Sequence, residues 1–105
     1  MGGFRIEQSA SASVVTLAGD LTAPLVPQIQ AAVRDELTKG AREVVFDLRN
    51  TEVLDSSGIG LLIATSNSLT RVSGSVRTVN ASANILQLLQ SMRLTGRLNA
   101  TGRAA

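Results

Sequence analysis

The segment VLDSSGIGLL, residues 53–62, contains the residues of this chain best suited to hold an anionic group. Asp55 follows an apolar run, and its side chain can cap a helix by accepting hydrogen bonds from amides two or three residues later. Ser56 is then the first helical residue, with its hydroxyl pointing outward. Unpaired amides and the helix dipole at this position favour an anion or a phosphoryl group. Gly58 and Gly60 lack a Cβ atom, which lets the backbone of a partner or a nucleotide approach closely.

Helix capping and close packing of a helix against its sheet are the alternative explanation of the same residues. The better-known nucleotide and nucleophile motifs do not fit here. A GxGxxG motif requires glycine at position 63, which is Ile63, and the chain contains neither a GK[ST] sequence nor a GxSxG sequence. A nucleotide or anion sensor that uses the helix N-terminus directly therefore stays open only as one alternative.

The composition argues against catalysis by this chain. It has no Cys, His, Trp or Tyr. Thiol nucleophiles, imidazole bases, disulfides and soft metal sites are therefore excluded together. Lys39 is the only lysine that could replace an imidazole as the base of a serine nucleophile. The sequence predicts a protein that is not an enzyme, with no catalytic residue, no metal site and no cofactor.

Charge is divided unevenly along the 105 residues. All eight acidic residues lie in 1–55, together with five basic ones, whereas 56–105 contain five arginines and no acid. These arginines are scattered and have no aromatic neighbours on which bases could stack, so we expect no nucleic-acid partner. No apolar run is long enough to cross a bilayer and no signal-type leader is present. We therefore expect a cytoplasmic protein with no membrane partner.

The hydropathy pattern predicts alternating strands and helices in one domain, 1–105, with a core at about 4–98 and a frayed polar tail at 99–105. Strands are expected at 4–8 and 14–18, joined as a hairpin, at 44–48 and at 76–79. The strand at 44–48 is nearly continuous in apolar residues, which predicts cover on both faces. Leu94 and Leu98 indicate a last, weak strand.

Three helices complete the pattern. The first carries Val26, Ile29, Val33 and Leu37 at helical spacing, with Thr22 as its cap, Pro24 or Pro27 in its first turn and Gly40 as its stop. The second covers about 57–72 and ends at Gly74, with an apolar stripe of Ile59, Leu62, Ile63, Leu69 and Val72 and with Leu61 exposed on the opposite side. The third is capped by Ser82 and carries Ile85, Leu88, Leu89 and Met92.

The order β-β-α-β-α-β-α, with one further strand at the end, predicts an α/β domain with a mixed sheet of four to five strands. Right-handed crossovers make the strands that end near 18, 48 and 79 parallel, so their carboxyl ends lie at one edge of the sheet, where α/β folds place their sites. That edge carries Asp20, the serines 56–57 and their capping Asp55, Asn80 and Ser82.

The run VVFDLRNTEVLDSSGIGLLI, placed after VVTLAGDLT, resembles the STAS domain of bacterial anti-sigma factor antagonists. The similarity extends from about Val14 to Leu98 and includes the sequences NAS at 80–82 and LLQSMRL at 88–94. In that family the serine that follows the aspartate is phosphorylated by a partner. By position the resemblance assigns phosphorylation to Ser56 rather than Ser57.

The resemblance implies a partner-switching regulator of transcription. The unphosphorylated antagonist binds an anti-sigma factor, which is also a serine kinase with a histidine-kinase-like ATPase fold, and frees the sigma factor. Phosphorylation disables the antagonist, and a metal-dependent serine phosphatase restores it. The implied partner-binding residues are Asp20, Thr22, Asp55, Ser56, Ser57, Gly58, Ile59, Gly60, Leu61, Asn80 and Ser82.

The sequence departs from the family pattern at two points. After the pair Gly19-Asp20 the family usually has Leu-Asp, whereas here Leu21 is followed by Thr22. The family also commonly has a further helix after the position at which this sequence ends. The main alternative is a STAS subunit of a transport or sensory complex, such as the small partner of a lipid-transport ATPase, in which the same surface binds protein without phosphorylation.

Overall fold

A computed structural model of the chain describes residues 3–103. The chain forms five strands and three helices: β1 (Phe4–Ser9), β2 (Ala12–Leu17), α1 (Val26–Thr38), β3 (Glu43–Asp47), α2 (Ser56–Thr70), β4 (Ser75–Ala81), α3 (Ala83–Ser91) and β5 (Ala100–Gly102). This confirms the predicted α/β class and element order, with the final strand present. No helix among these residues is long and apolar enough to span a membrane.

The five strands form one mixed sheet in the order β1-β2-β3-β4-β5. β1 and β2 are an antiparallel hairpin, as predicted, and β2 to β5 are parallel. The strands extend to Ser9 and Ala12, so the connection is shorter than the polar segment 9–13 that the sequence indicates. Ala10 adopts φ 56° there, in the left-handed region that a tight turn requires.

The hydrophobic core lies on one face of the sheet. Each parallel strand is added on the same side of the previous one, so right-handed crossovers place all three helices on one face. Val15, Val44 and Phe46 are fully buried there among the helices. Val45 points to the other face and lies outside this core cluster, although it is only 6% exposed, between its register partners Val14 and Arg77. The strand is thus buried on both faces, as predicted, although the helices cover only one of them.

Helix α1 begins later than predicted, at Val26, and its N-cap is Leu25, which makes no side-chain cap bond. The backbone carbonyl of Thr22 accepts hydrogen bonds from the amides of Leu25 and Val26, so a separate turn lies between Thr22 and the helix. The prediction that Thr22 caps this helix is thus wrong. Pro27 does lie in the first turn, and Gly40, with φ 99°, ends the helix as predicted.

The segment after α3 also differs from the prediction. Leu94 and Leu98 are buried in the core, but they lie in the irregular segment between α3 and β5, and the last strand is β5, which follows them. Only tertiary contacts select this strand, because its sequence ATG carries no strand pattern. Residues 99–103 are therefore not a frayed tail, and residues 104–105 lie outside the described part of the chain. Val72 is likewise exposed, beyond the end of α2.

Thr78 is a polar defect in the core. It is fully buried in β4, and its hydroxyl oxygen is the one buried side-chain nitrogen or oxygen atom of residues 3–103 without a hydrogen-bond partner. Thr65, also buried, donates from its hydroxyl to the carbonyl of Leu61 at 2.8 Å. An unpaired buried hydroxyl costs free energy that a paired one does not.

Replacing Thr78 by valine is expected to raise the free energy of unfolding by about 1 kcal/mol, because the unpaired hydroxyl becomes a methyl group in an apolar site. Urea denaturation followed by circular dichroism measures the change. Thr65→Val is the matched control, since it removes a satisfied hydroxyl and should not stabilise the protein. A Thr78→Val variant that is less stable than the parent contradicts this explanation.

Candidate functional site

The carboxyl ends of β2 and β3 are held together at one edge of the sheet, as predicted. Leu21 and Leu54 form an isolated parallel bridge beyond the strands. The amide of Leu21 donates to the carbonyl of Val53 at 3.1 Å, and the amide of Asp55 donates to the carbonyl of Leu21 at 3.4 Å. Leu21 is fully buried and Leu54 is 7% exposed, so this bridge anchors residues 55–58, the DSSG segment, to the core.

Asp20 organises the loop that precedes the segment. One oxygen of its carboxylate accepts hydrogen bonds from the amides of Glu52 and Val53, at 3.0 and 2.9 Å. The hydroxyl of Thr51, which is fully buried, donates to the carbonyl of Gly19 at 2.7 Å. Asp20 is exposed, so its carboxylate both shapes the loop and adds negative charge to the edge.

Asp55 is the N-cap of α2 and binds amides from two separate segments. One oxygen accepts from the amide of Gly58 at 2.8 Å, and the other accepts from the amide of Ala23 at 2.9 Å. The Gly58 amide is the main cause that lowers the pKa of Asp55, and the amides of Ala23 and Ser57 add to it, while partial burial acts in the opposite direction. The predicted cap is therefore present, with a second bond that the sequence did not indicate.

Because the folded-state pKa of Asp55 is lowered, its stabilisation is complete above the ordinary carboxyl pKa of about 4 and disappears as the pH falls through the lowered value. Asp55→Asn is the matched variant, since asparagine can cap the helix but offers one acceptor oxygen for two amides. We expect the parent to be more stable at neutral pH and the difference to shrink in acid. Urea denaturation from pH 7 to pH 2 tests this, and a difference that stays constant with pH contradicts it.

The two serines differ in exposure. Ser56 is the first residue of α2 and is exposed, whereas Ser57 is partly buried. The positive end of the helix dipole lies at Ser56, and Asp55 beside it occupies the amide of Gly58. The accessible hydroxyl of the motif is thus the one at position 56.

The two glycines of the motif have different surroundings. A Cβ atom on Gly58 would lie 2.5 Å from the carbonyl oxygen of Leu21 and 2.8 Å from Cδ1 of Leu54. Gly58 is buried, so its missing side chain serves the packing of α2 against the Leu21–Leu54 bridge and not the approach of a partner. Around Gly60 nothing lies within 4 Å of the same position, and the residue is exposed. The expected surface opening is found at Gly60 alone.

Gly58→Ala is expected to destabilise the protein clearly, because its methyl group meets backbone that the bridge holds in place. Gly60→Ala adds the same methyl group to open surface in the same helix. It should raise the free energy of unfolding by up to about 1 kcal/mol through helix propensity. Thermal unfolding of both variants measures the contrast. Equal effects of the two substitutions are the outcome that contradicts this assignment.

Ile59 and Leu61 belong to the core and cannot offer side chains to a partner. They are 8% and 4% exposed. Leu61 was predicted to be exposed opposite the apolar stripe, and this is wrong because α1 packs beside α2 and buries that side as well. Leu61 and Val33 line a small cavity between the two helices. Two buried sides give α2 a wider apolar surface than one stripe.

The end of β4 adds two polar residues. Asn80 has φ 59°, and its side-chain amide donates to Oδ1 of Asp47 at 2.9 Å. Ser82 is 8% exposed and caps α3, accepting from the amide of Ile85 at 3.1 Å, as predicted. Ser82 therefore acts within the fold, and Asn80 ties the end of β4 to the end of β3.

Two residues of this edge were missed at the sequence level. Arg103 donates to the carbonyls of Leu48, Thr51 and Asn80 and forms an ion pair with Glu52 at 3.2 Å. It lies in the segment predicted to be frayed, and no local pattern marks it. The second residue is Val53, which is apolar and 50% exposed next to the DSSG segment. Its exposure follows from its position in the loop 48–55, where the alternation of buried and exposed residues in a strand no longer applies.

The edge is acidic. Four carboxylates lie here, those of Asp20, Asp47, Glu52 and Asp55. Of these four, Glu52 alone forms an ion pair with a cation of residues 3–103. Within the same residues no group of three or more potential metal ligands is found. The arrangement presents one accessible hydroxyl on the N-terminus of α2 in a negative field.

A model of the STAS domain family, described as "Mlab, STAS domain", matches residues 4–100. The chain belongs to the STAS family. No curated protein matches the chain in sequence. The family assignment agrees with the element order and with the position of the DSSG segment between β3 and α2.

Two solved structures of a known antagonist are similar to this STAS domain. The anti-sigma factor antagonist SpoIIAA in its unphosphorylated form is 27% identical, with a TM-score of 0.74 over 83% of this chain and 81% of that one. The Bacillus cell fate determinant SpoIIAA in its phosphorylated form is 25% identical, with a TM-score of 0.77 over 93% and 90%. The murine anion transporter Slc26a9 is 14% identical, with a TM-score of 0.73 over 93% of this chain but 17% of the transporter, and shares the fold alone.

Proposed function

We propose that this STAS domain is an anti-sigma factor antagonist that works by partner switching. Its unphosphorylated form binds an anti-sigma factor of the histidine-kinase-like ATPase type and frees the sigma factor. That anti-sigma factor, acting as a serine kinase, transfers the phosphoryl group of ATP to the hydroxyl of Ser56, which releases the antagonist. A metal-dependent serine phosphatase hydrolyses the phosphate and restores binding.

The observation that carries this proposal is the isolation of Ser56 as the exposed hydroxyl of the motif. Asp55 uses its two oxygens on backbone amides, Gly58 packs against the Leu21 carbonyl, and Ile59 is in the core. These contacts fix the start of α2 and leave the hydroxyl of Ser56 on the surface. The similarity to SpoIIAA, which exists in phosphorylated and unphosphorylated forms, supports the same assignment.

The charge balance of the edge explains how one phosphate could switch binding. Phosphate adds about −1.5 to −2 charges at pH 7. The helix dipole at position 56 tolerates that charge within the domain, so the fold need not change. A partner surface fitted to a neutral hydroxyl beside Asp55 and Asp20 then meets additional bulk and like charge. A loss of about 3 kcal/mol weakens binding roughly a hundredfold.

Thr22 modifies the surface that a kinase would contact. It is partly buried after Asp20, where the family usually has a carboxylate. The proposed kinase therefore docks on this domain with one negative charge fewer, and Thr22→Asp is expected to raise the rate of Ser56 phosphorylation.

The test is phosphopeptide mass spectrometry on the protein purified from its own cells in growth and under stress. Trypsin releases residues 50–71, which contain both serines, and fragmentation separates Ser56 from Ser57. We expect phosphate on Ser56 whose fraction changes with the condition. Ser56→Ala should abolish the modification, and Ser57→Ala, the matched control, should retain it.

Affinity purification of the same variants tests the consequence for binding. Ser56→Ala should retain an ATPase-type anti-sigma factor, and Ser56→Asp should lose it at least tenfold. Thermal unfolding confirms that each variant is folded. A residue 50–71 peptide that stays unmodified in all conditions, together with equal recovery of partners by both variants, contradicts the proposed switch.

A second candidate is a STAS subunit of a transport or sensory complex, such as the small partner of a lipid-transport ATPase. The similar fold of one part of an anion transporter supports this second candidate. Here the same edge binds protein without phosphorylation. Recovery of transporter subunits with an unmodified Ser56 supports this candidate over the first.

A further inference from the structure

Strand β1 is an open edge of the sheet. It pairs with β2 on one side, and it is the first strand in the sheet order, so no strand of residues 3–103 lies on its other side. Its pairing with β2 is regular over all six residues, Phe4–Ser9, with no bulge. The sequence FRIEQS contains neither proline nor glycine. Natural sheets commonly protect an exposed edge with a bulge, a proline or charged side chains. β1 has no bulge and no proline, and its two exposed charges, Arg5 and Glu7, are of opposite sign.

The hydrogen-bond pattern shows which backbone groups face outward. The amide of Ala18 donates to the carbonyl of Gly3 at 2.8 Å, so these two residues form a hydrogen-bonded pair of the antiparallel ladder. Such pairs alternate along the strands, so the groups of Arg5, Glu7 and Ser9 point to β2. The amides and carbonyls of Phe4, Ile6 and Gln8 therefore point away from the sheet.

We propose that β1 pairs with β1 of a second copy of this chain. The two strands run antiparallel about a two-fold axis at Ile6 and join two five-stranded sheets into one. In this register Ile6 faces Ile6 of the second copy, and Phe4 faces Gln8, so all outward-facing backbone groups of these residues pair with one another. The interface is the same on both copies, as a two-fold dimer requires.

Charge selects this register over its neighbours. Arg5 and Glu7 point to the helix-free face, with side chains 71% and 65% exposed, and they form an intrastrand ion pair at 3.7 Å. A pair centred on Ile6 places Arg5 directly opposite Glu7 of the second copy, twice. A pair centred on Arg5 or on Glu7 places two like charges opposite each other, which destabilises a sheet. The sequence RIE is thus self-complementary in one register only.

The proposed dimer leaves the Ser56 surface accessible. Ser56 follows β3 in the middle of the sheet, at the carboxyl ends of the parallel strands, whereas the pairing uses the outer side of β1. The proposal is therefore independent of the phosphorylation switch, and a failure of one does not affect the other.

Charge reversal tests the pairing without disturbing the core, because both side chains are exposed. Sedimentation equilibrium of the whole chain from 10 µM to about 1 mM is expected to show a reversible monomer–dimer equilibrium. Arg5→Glu and Glu7→Arg should each weaken dimerisation at least tenfold, since each places like charges opposite each other. The double variant Arg5→Glu/Glu7→Arg restores complementarity and should restore the dimer. The control is Arg34→Glu, which changes the net charge by the same amount as Arg5→Glu at an exposed position of α1, and it should dimerise like the parent.

Amide hydrogen exchange followed by NMR identifies the strand involved. The amides of Ile6 and Gln8 should exchange more slowly as the concentration rises, whereas those of Arg5 and Glu7, already bonded to β2, should change little. A chain that stays monomeric at 1 mM overturns the proposal. A dimer that persists in Arg5→Glu overturns it as well.

Discussion

The structure of the candidate site depends on the bridge between two loops at the carboxyl edge of the sheet. Leu21 and Leu54 extend the parallel pairing of β2 and β3 beyond both strands, and Asp55 completes the connection with one oxygen on Gly58 and the other on Ala23. A single carboxylate thereby caps α2 and fixes the loop that leads into α1. Gly58 is required because the helix packs directly against the carbonyl of Leu21.

This bridge explains why the motif is rich in small and polar residues although only part of it reaches the surface. Asp55, Gly58 and Ile59 hold the start of α2 in place, and Ser56 and Gly60 are the exposed positions. A helix start held in this way suits the proposed modification of Ser56 by another protein, because the hydroxyl keeps a constant position and the fold need not change. In the proposed switch, the phosphate acts through charge and bulk at the surface.

The same topology leaves two surfaces without helices. All three crossovers pack on one face, so the other face carries the side chains of Arg5, Glu7 and Val14, and β1 presents an unpaired edge. Because the strands follow one another in sequence order across the sheet, the described elements cover neither this face nor this edge. The partner binding proposed at the carboxyl edge and the self-association proposed at β1 use different parts of the sheet and can coexist.

The sequence by itself determined the order of elements, the hairpin, the parallel strands and the caps at Asp55 and Ser82, because hydropathy periods and capping preferences are local properties. It also placed Ser56 at a helix N-terminus. It did not determine which neighbours bury a helix, so Leu61, packed beside α1, was predicted to be exposed, and at Gly58 it left the approach of a partner and packing against the sheet as alternatives. Strand β5 and the anchoring of Arg103 were missed as well, because both depend on contacts with residues far away in the chain. Tertiary structure decided these points, since burial and long-range hydrogen bonds arise only when distant segments meet.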